Sequence, residues 1–306
     1  MNDIYIETAK TMVRIAPLVF TDERLALKGG TAINLFLRDM PRLSVDLDLT
    51  FTDYTLSRSA ALAAINDAIS SAQVRLKARG IESHVPPQRD GIEAKLLATD
   101  GRIQVKVEIN YVIRGAVDPV ERRTLTRKAR DLLLADLELQ ILSPNDIYGG
   151  KLVAALDRQH PRDLFDVMQL FENEGITSQI RRCFIVYLVS HNRPIHEVLF
   201  PAELDISHEY NASFRGMTSE EISLPELLSV RTRLLTELPR SLTGAERQFL
   251  LSVAYSHPKW NLIDVEHIQM LPAVKWKVQN LKRLAGENRH KLLAQADELA
   301  RRFAAV

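Results

Sequence analysis

The chain has 306 residues, with 40 Lys+Arg against 39 Asp+Glu and 46% hydrophobic residues. That length and composition predict about two globular domains and exclude a disordered or collagen-like polymer. The single cysteine, Cys183, excludes an internal disulfide and a multi-cysteine zinc site, and its apolar surroundings predict a buried, inert thiol. No apolar run reaches the roughly 18 residues a membrane span needs, and Met1 to Lys10 lacks the order of a signal peptide, so a cytoplasmic protein is expected.

Apolar spacing over 3–20 predicts a helix. Leu25 to Leu27 then reads as a short strand running into Gly29-Gly30 and a helix over Thr31 to Arg38. Residues 44–51 (SVDLDLTF) alternate strictly, with Val45, Leu47, Leu49 and Phe51 on one face and Ser44, Asp46, Asp48 and Thr50 on the other. A helix is predicted over 57–79, a loop or edge around Pro86 and Pro87, and strands over 92–98 and 102–113 about the turn pair Asp100-Gly101. In the second of these, Gln104, Lys106, Glu108 and Asn110 form the polar face. A solvated helix face with five basic residues is the simplest reading of 121–131, with phosphate contact as the other, and one more strand is expected over 137–142.

Beyond Ser143 the pattern is helical throughout, over 144–157, 161–174, 177–190, 225–238, 244–255, 272–285 and 288–303. The expected organisation is thus a mixed αβ domain over 1–142 followed by a helical domain over 143–306. Trp260 and Trp276 are expected as core anchors, and the histidines show no paired metal spacing.

Two clusters carry chemistry. Aspartate is depleted in strands, yet Asp46 and Asp48 stand two apart inside one, side by side at about 6.5–7 Å. Two readings are open: a cation site, with Glu108 as a third carboxylate if the strands are neighbours, or an edge strand with a solvated face. Lys28-Gly29-Gly30-Thr31, placed between strand and helix, is either an anion-binding turn or only a tight turn. It is not a Walker loop, and neither is Gly149-Gly150-Lys151. In the second cluster Lys151 is followed by Arg158, His160, Arg162, Asp163 and Asp166. A helical hairpin would gather these charges, while the plainer reading is carboxylates at a helix start and a surface lysine.

Strand, Gly-Gly-Thr, helix, Asp-x-Asp strand and a later acidic strand together resemble the nucleotidyltransferase superfamily core. More narrowly, Lys28 to Phe51 (KGGTAINLFLRDMPRLSVDLDLTF) is similar to the AbiEii/AbiGii toxin family, nucleotidyltransferase toxins of type IV toxin-antitoxin systems. That family couples Gly-Gly-Thr-Ala-Leu to Arg-x-Ser-x-Asp-hydrophobic-Asp; here Ile33 holds the aliphatic position, and Arg42, Ser44, Asp46 and Asp48 match in register. Glu108 departs from the aspartate commoner in the superfamily. Arg162, Asp163, Leu164, Phe165 and Asp166 match the family's second motif behind a lysine-bearing helix, and Pro258, Trp260 and 271–281 resemble its terminal region.

The resemblance implies a mixed sheet with flanking helices and a C-terminal helical domain that contributes Lys151 and Asp163. It implies transfer of a nucleotide from an NTP with two divalent ions, Mg²⁺ or Mn²⁺, on Asp46, Asp48 and Glu108. Gly29, Gly30, Thr31, Ser44 and Lys151 would hold the nucleotide, with Arg162 and Asp166 orienting them from behind. Either Glu108 or Asp163 would accept the acceptor's proton. An intracellular toxin with a cognate antitoxin is implied, and for some relatives the acceptor is the tRNA 3′ end. A small-molecule or protein hydroxyl as acceptor and a non-catalytic binding protein are the alternatives. Charge segregates in a way that suits RNA or an acidic antitoxin: residues 275–306 hold eight basic groups (Lys275, Lys277, Lys282, Arg283, Arg289, Lys291, Arg301, Arg302) against three acidic, whereas 171–274 hold nine against 13.

Overall fold

Seven strands form one mixed sheet in the computed structural model, which describes residues 3–87 and 93–306. They are β1 (Leu25–Lys28), β2 (Asp46–Phe51), β3 (Glu82–His84), β4 (Glu93–Asp100), β5 (Ile103–Asn110), β6 (Glu121–Thr124) and β7 (Glu138–Ile141), in the order β3-β4-β5-β2-β1-β7-β6. β2 lies between β5, its parallel partner, and β1, its antiparallel one. This central place overturns the edge-strand reading of the Asp-x-Asp segment. Alternation along β2 buries Leu47, Leu49 and Phe51, and along β5 it buries Val105, Val107 and Ile109. Each such side chain contributes about 1.5–3 kcal/mol when fully buried.

Helices α1 (Asp3–Val19) and α3 (Arg58–Ala78) pack on each other and against the sheet. α1 buries Ala9, Met12, Val13, Ile15, Ala16 and Val19. Ser57 caps α3 by accepting from the Ala60 amide at 3.2 Å, and Tyr111 donates its hydroxyl to Asn66 at 2.9 Å, tying the end of β5 to that helix. Between β1 and β2 runs α2 (Gly29–Ala32), which continues as a wider π turn over Ile33–Leu37. The helix therefore starts two residues before the expected Thr31, because Gly29 itself, at φ +72°, makes the bend out of β1.

The chain divides into two compact units, residues 1–147 with 215–221 and residues 148–214 with 222–306. Within the first, the expected helix face at 121–131 is instead β6, paired antiparallel with β7, and then α4 (Arg127–Leu133). Its charges are compensated locally: Arg122 meets Glu138 at 2.6 Å, Arg123 meets Glu121 at 2.8 Å and Arg127 meets Asp131 at 3.9 Å. β3 pairs with β4 although no strand was expected there. Residues 88–92, which include part of the expected loop and the first residue of the strand expected over 92–98, lie outside the described residues.

The second unit is helical, as the pattern beyond Ser143 requires. α5 (Pro144–Arg158) leads into it, followed by α6 (Pro161–Glu172), α7 (Ser178–Ser190), α8 (Ile195–Leu199), α9 (Ser207–Ser213), α10 (Leu224–Ser241), α11 (Gly244–Ala254), α12 (Pro272–Glu287) and α13 (Arg289–Ala304). α8 and α9 were not expected; each is under two full turns, too short for periodicity to register. Capping boxes start α10 (Ser223 with Glu226) and α11 (Thr243 with Glu246). Gly149 sits inside α5 because an added Cβ would lie 2.7 Å from Cys183 Cβ of α7. Cys183 is fully buried, as expected.

Two adjacent residues of α12 reverse their expected places. Trp276, expected in the core, is 51% exposed, whereas Lys277, counted among the surface cations, is only 6% exposed. The buried stripe of α12 runs through Ala273, Val274 and Lys277, and a residue one step along the helix turns about 100° away from it. The Lys277 ammonium reaches the carbonyl oxygens of His191 (2.9 Å) and Arg193 (2.5 Å), just past the end of α7. Trp260, also expected in the core, is half-buried, with its ring 6.0 Å from that of Phe249. Burial pushes the Lys277 amine down to about 8 from its ordinary 10.5. A folded-state pKa below the unfolded one means that the unfolded chain binds more protons between these values, so stability rises with pH from about 8 to 10.5. Urea unfolding across that window should show this rise in the native chain and its absence in Lys277→Met.

Candidate active site

Strand register assembles a row of four charged residues across four neighbouring strands. Lys95 of β4 pairs with Glu108 of β5, Glu108 with Asp48 of β2, and Asp48 with Lys28 of β1. Directly paired residues share a face, so these side chains rise from one side of the sheet. In the next row, Lys106 of β5 pairs with Asp46 of β2. The three carboxylates expected to act together are therefore on one face of two adjacent strands.

Their electrostatics are set by two lysines that the sequence reading did not assign to the site. Lys106 Nζ lies 3.1 Å from Glu108 Oε2 and 3.8 Å from Asp46 Oδ2. Lys95 Nζ lies 3.0 Å from Glu108 Oε1. Partial burial alone would raise the Glu108 pKa, but the hydrogen bond from Lys95 and the charge and hydrogen bond of Lys106 outweigh it and hold the carboxyl below its ordinary value. Lys106 shows the converse: burial pulls its pKa down, and Asp46, Glu108 and Asp48 more than reverse this. Among the described residues Lys28 has no ion-pair partner. A signal for these lysines was present. Period-two counting puts Lys106 on the face of Glu108, and a two-residue turn at Gly101-Arg102, pairing Asp100 with Ile103, carries the register back to Lys95.

The glycine turn fits against the carboxylates. A Cβ on Gly29 would lie 2.7 Å from Asp48 Oδ2, and one on Gly30 would lie 2.6 Å from Arg42 Nη2 and 3.1 Å from Ser44 Oγ. Buried Thr31 donates its hydroxyl to the Asp46 carbonyl at 2.5 Å and shares a hydrogen bond with Ser44 at 2.9 Å. Arg42, 2% exposed, donates to the Leu43 carbonyl at 2.9 Å, and the segment around it is pinned by a bridge to Thr218 and by the Leu43 amide bonding to the Met217 carbonyl at 2.8 Å. Gly29, Gly30, Thr31, Arg42, Ser44, Asp46 and Asp48 are thus one connected structure. Thr31 and Ser44 fix the turn to the strand, and the missing side chains of the glycines leave room for Asp48 and Arg42.

In the second unit, Lys151 of α5 lies between two carboxylates of α6, 2.7 Å from Asp163 Oδ1 and 2.9 Å from Asp166 Oδ2. All three are buried, and Arg158 adds a contact to Asp163 Oδ2 at 2.9 Å. The hairpin reading of this cluster therefore describes it, and the surface-lysine reading does not. His160 caps α6 by accepting from the Arg162 amide at 3.1 Å, and its pKa is lowered by burial and by the neighbouring Arg162 charge. Arg162 contributes that backbone amide.

A family described as nucleotidyl transferase AbiEii toxin, type IV toxin-antitoxin system, matches residues 10–280. The chain belongs to the AbiEii family. It is a nucleotidyltransferase of toxin-antitoxin type. Among solved structures it is similar to MenT4, a nucleotidyltransferase toxin from Mycobacterium tuberculosis H37Rv, with 18% identity, a TM-score of 0.59, and coverage of 90% of this chain and 91% of that one. At that identity the likeness is one of fold. No curated protein matches the sequence closely enough to compare. The AbiEii match spans both the glycine and carboxylate motifs and the lysine-bearing helix, in agreement with the resemblance read from those residues.

Two substitutions test the geometry. Gly29→Ala places a side chain at φ +72° and against Asp48, so it should cost about 1–2 kcal/mol in backbone strain and reduce nucleotide transfer by more than its loss of folded protein explains. Chemical denaturation measured beside transfer activity separates the two effects. Lys151→Met leaves Asp163 and Asp166 buried without their ammonium and should cost about 3–5 kcal/mol in unfolding free energy. A loss under about 1 kcal/mol would show that the cluster is not the ionic pin described here.

Proposed function

We propose that this chain is a divalent-metal-dependent nucleotidyltransferase that transfers a nucleoside monophosphate from an NTP to an RNA acceptor, the 3′ end of tRNA, and inhibits growth by doing so. The observation that carries the proposal is the row in which Glu108 and Asp48 stand side by side, with Asp46 beside them and the glycine turn seated on Asp48. Hard carboxylate oxygens of this kind suit Mg²⁺ or Mn²⁺, which share one or two carboxylates with phosphate oxygens and, when bound, stabilise charge on the reacting phosphate.

The chain's own residues supply the rest. Gly29 and Gly30 let the triphosphate approach the backbone closely, and Lys28, paired in register with Asp48, offers an ammonium to it. Thr31 and Ser44 hold the turn in place through their shared hydrogen bond. The family motif is the support for giving Lys151 a part in holding nucleotide phosphates and Asp163 and Asp166 a part in catalysis. An RNA partner is supported by the outer face of α12, where Lys275, Lys282 and Arg283 are exposed along with Trp276, since bases stack on exposed aromatic rings beside cations. Membership in a toxin-antitoxin family supports a cognate antitoxin as the protein partner. No helix among the described residues is long and apolar enough to cross a membrane.

Incubation of the protein with each α-labelled NTP, total RNA and Mg²⁺ should label the tRNA band. Asp46→Asn and Asp48→Asn should each reduce that label by on the order of 100-fold or more and relieve growth inhibition. Label in a small molecule or a protein would overturn the acceptor assigned here, and unchanged growth inhibition by Asp46→Asn would overturn the enzymatic account of toxicity.

A further inference from the structure

We propose that Lys106 serves as a built-in second cation of the carboxylate face, so that the site takes up one divalent ion, on Asp46 and Asp48, rather than two. This rests on the metal-dependent reading above and narrows it. Three observations carry it.

The first is position. Lys106 is paired with Asp46 by the parallel register of β5 and β2, so the sheet sets its backbone beside Asp46 and puts its side chain on the carboxylate face. The second is bridging. One ammonium group lies within 3.8 Å of Asp46 Oδ2 and 3.1 Å of Glu108 Oε2, joining carboxylates of two strands. A divalent ion binding both carboxylates would have to displace it. Glu108 is also held from its other side by Lys95 at 3.0 Å, so both of its oxygens already face an ammonium group.

The third is charge. Asp46, Asp48 and Glu108 bring three negative charges, and Lys28, Lys95 and Lys106 return three, so these two rows are neutral before any ion binds. A single divalent ion takes them to two positive charges, ready for the polyanionic triphosphate. Two divalent ions would take them to four before substrate arrives, a repulsion that Lys106 adjoins directly. Asp48 is the carboxylate of the face that none of these lysines contacts within 4.0 Å among the described residues, and it lies beside the glycine turn.

The test is a titration of the full-length chain with Mn²⁺, reading free Mn²⁺ by electron paramagnetic resonance, for the native protein and for Lys106→Met, Lys106→Gln and Lys106→Arg. One bound ion in the native chain and in Lys106→Arg, with two in Lys106→Met or Lys106→Gln, is the expected result. Two ions in the native chain, or one in all variants, would overturn the proposal. An Asp46→Asn/Asp48→Asn double variant separates the underlying reading from its refinement. If the native chain binds no more Mn²⁺ than this variant, the metal-dependent reading fails, and the assignment to Lys106 fails with it. Circular dichroism melts identify any variant that does not fold, and the Met and Gln replacements give two independent routes to the same loss of charge.

Discussion

Three carboxylates on one face of two adjacent parallel strands repel one another, and the first unit is arranged around that repulsion. At a separation of a few ångströms near a protein surface, like charges cost on the order of several kcal/mol. The sheet answers with cations set in the same rows: Lys95 and Lys28 at the ends of one row and Lys106 facing Asp46 in the next. The opposite face of the same strands is apolar and buried, so β2 cannot turn its aspartates away without exposing Leu47, Leu49 and Phe51. Burial on one side thus holds the charges in place on the other.

The glycine turn follows from the same constraint. The chain leaves β1 beside Asp48 and must start a helix without placing a side chain on the carboxylate. A positive φ and an absent Cβ at Gly29 satisfy both demands, and Thr31 and Ser44 then lock the turn to the backbone of β2. In the second unit the balance is of a different kind. Lys151, Asp163 and Asp166 are buried together, so α5 and α6 are held by ionic contacts whose partners depend on one another. Gly149, two residues before Lys151, admits α7 at close range.

Much of the carboxylate face was legible in the sequence, because alternation in 44–51 and 103–111 states which residues share a side. Register was the missing quantity. Nothing in the chain's local pattern says that Asp48 pairs with Glu108, since β2 and β5 are joined by a long connection through α3, β3 and β4. Without register, Lys106 reads as one more polar-face residue rather than the counter-ion of Asp46. β6 was hidden for another reason: Glu121, Arg122, Arg123 and Thr124 offer no apolar face, and the strand exists because β7 provides a partner. Trp276 and Lys277 were misplaced by residue type. Size and hydrophobicity favour tryptophan inside, but helix phase assigns the inner face to Lys277, whose ammonium finds backbone carbonyls there.

The central claim is that the Asp46 and Asp48 face is where nucleotide and metal meet the protein. Crystals grown with Mn²⁺ and a non-hydrolysable NTP, with anomalous scattering recorded at the manganese edge, test it most directly. The account predicts an anomalous peak contacting the carboxylates of Asp46 and Asp48, with triphosphate density beside Gly29 and Gly30. Manganese and nucleotide bound away from these residues, with the Asp46 and Asp48 side chains unliganded, would contradict it.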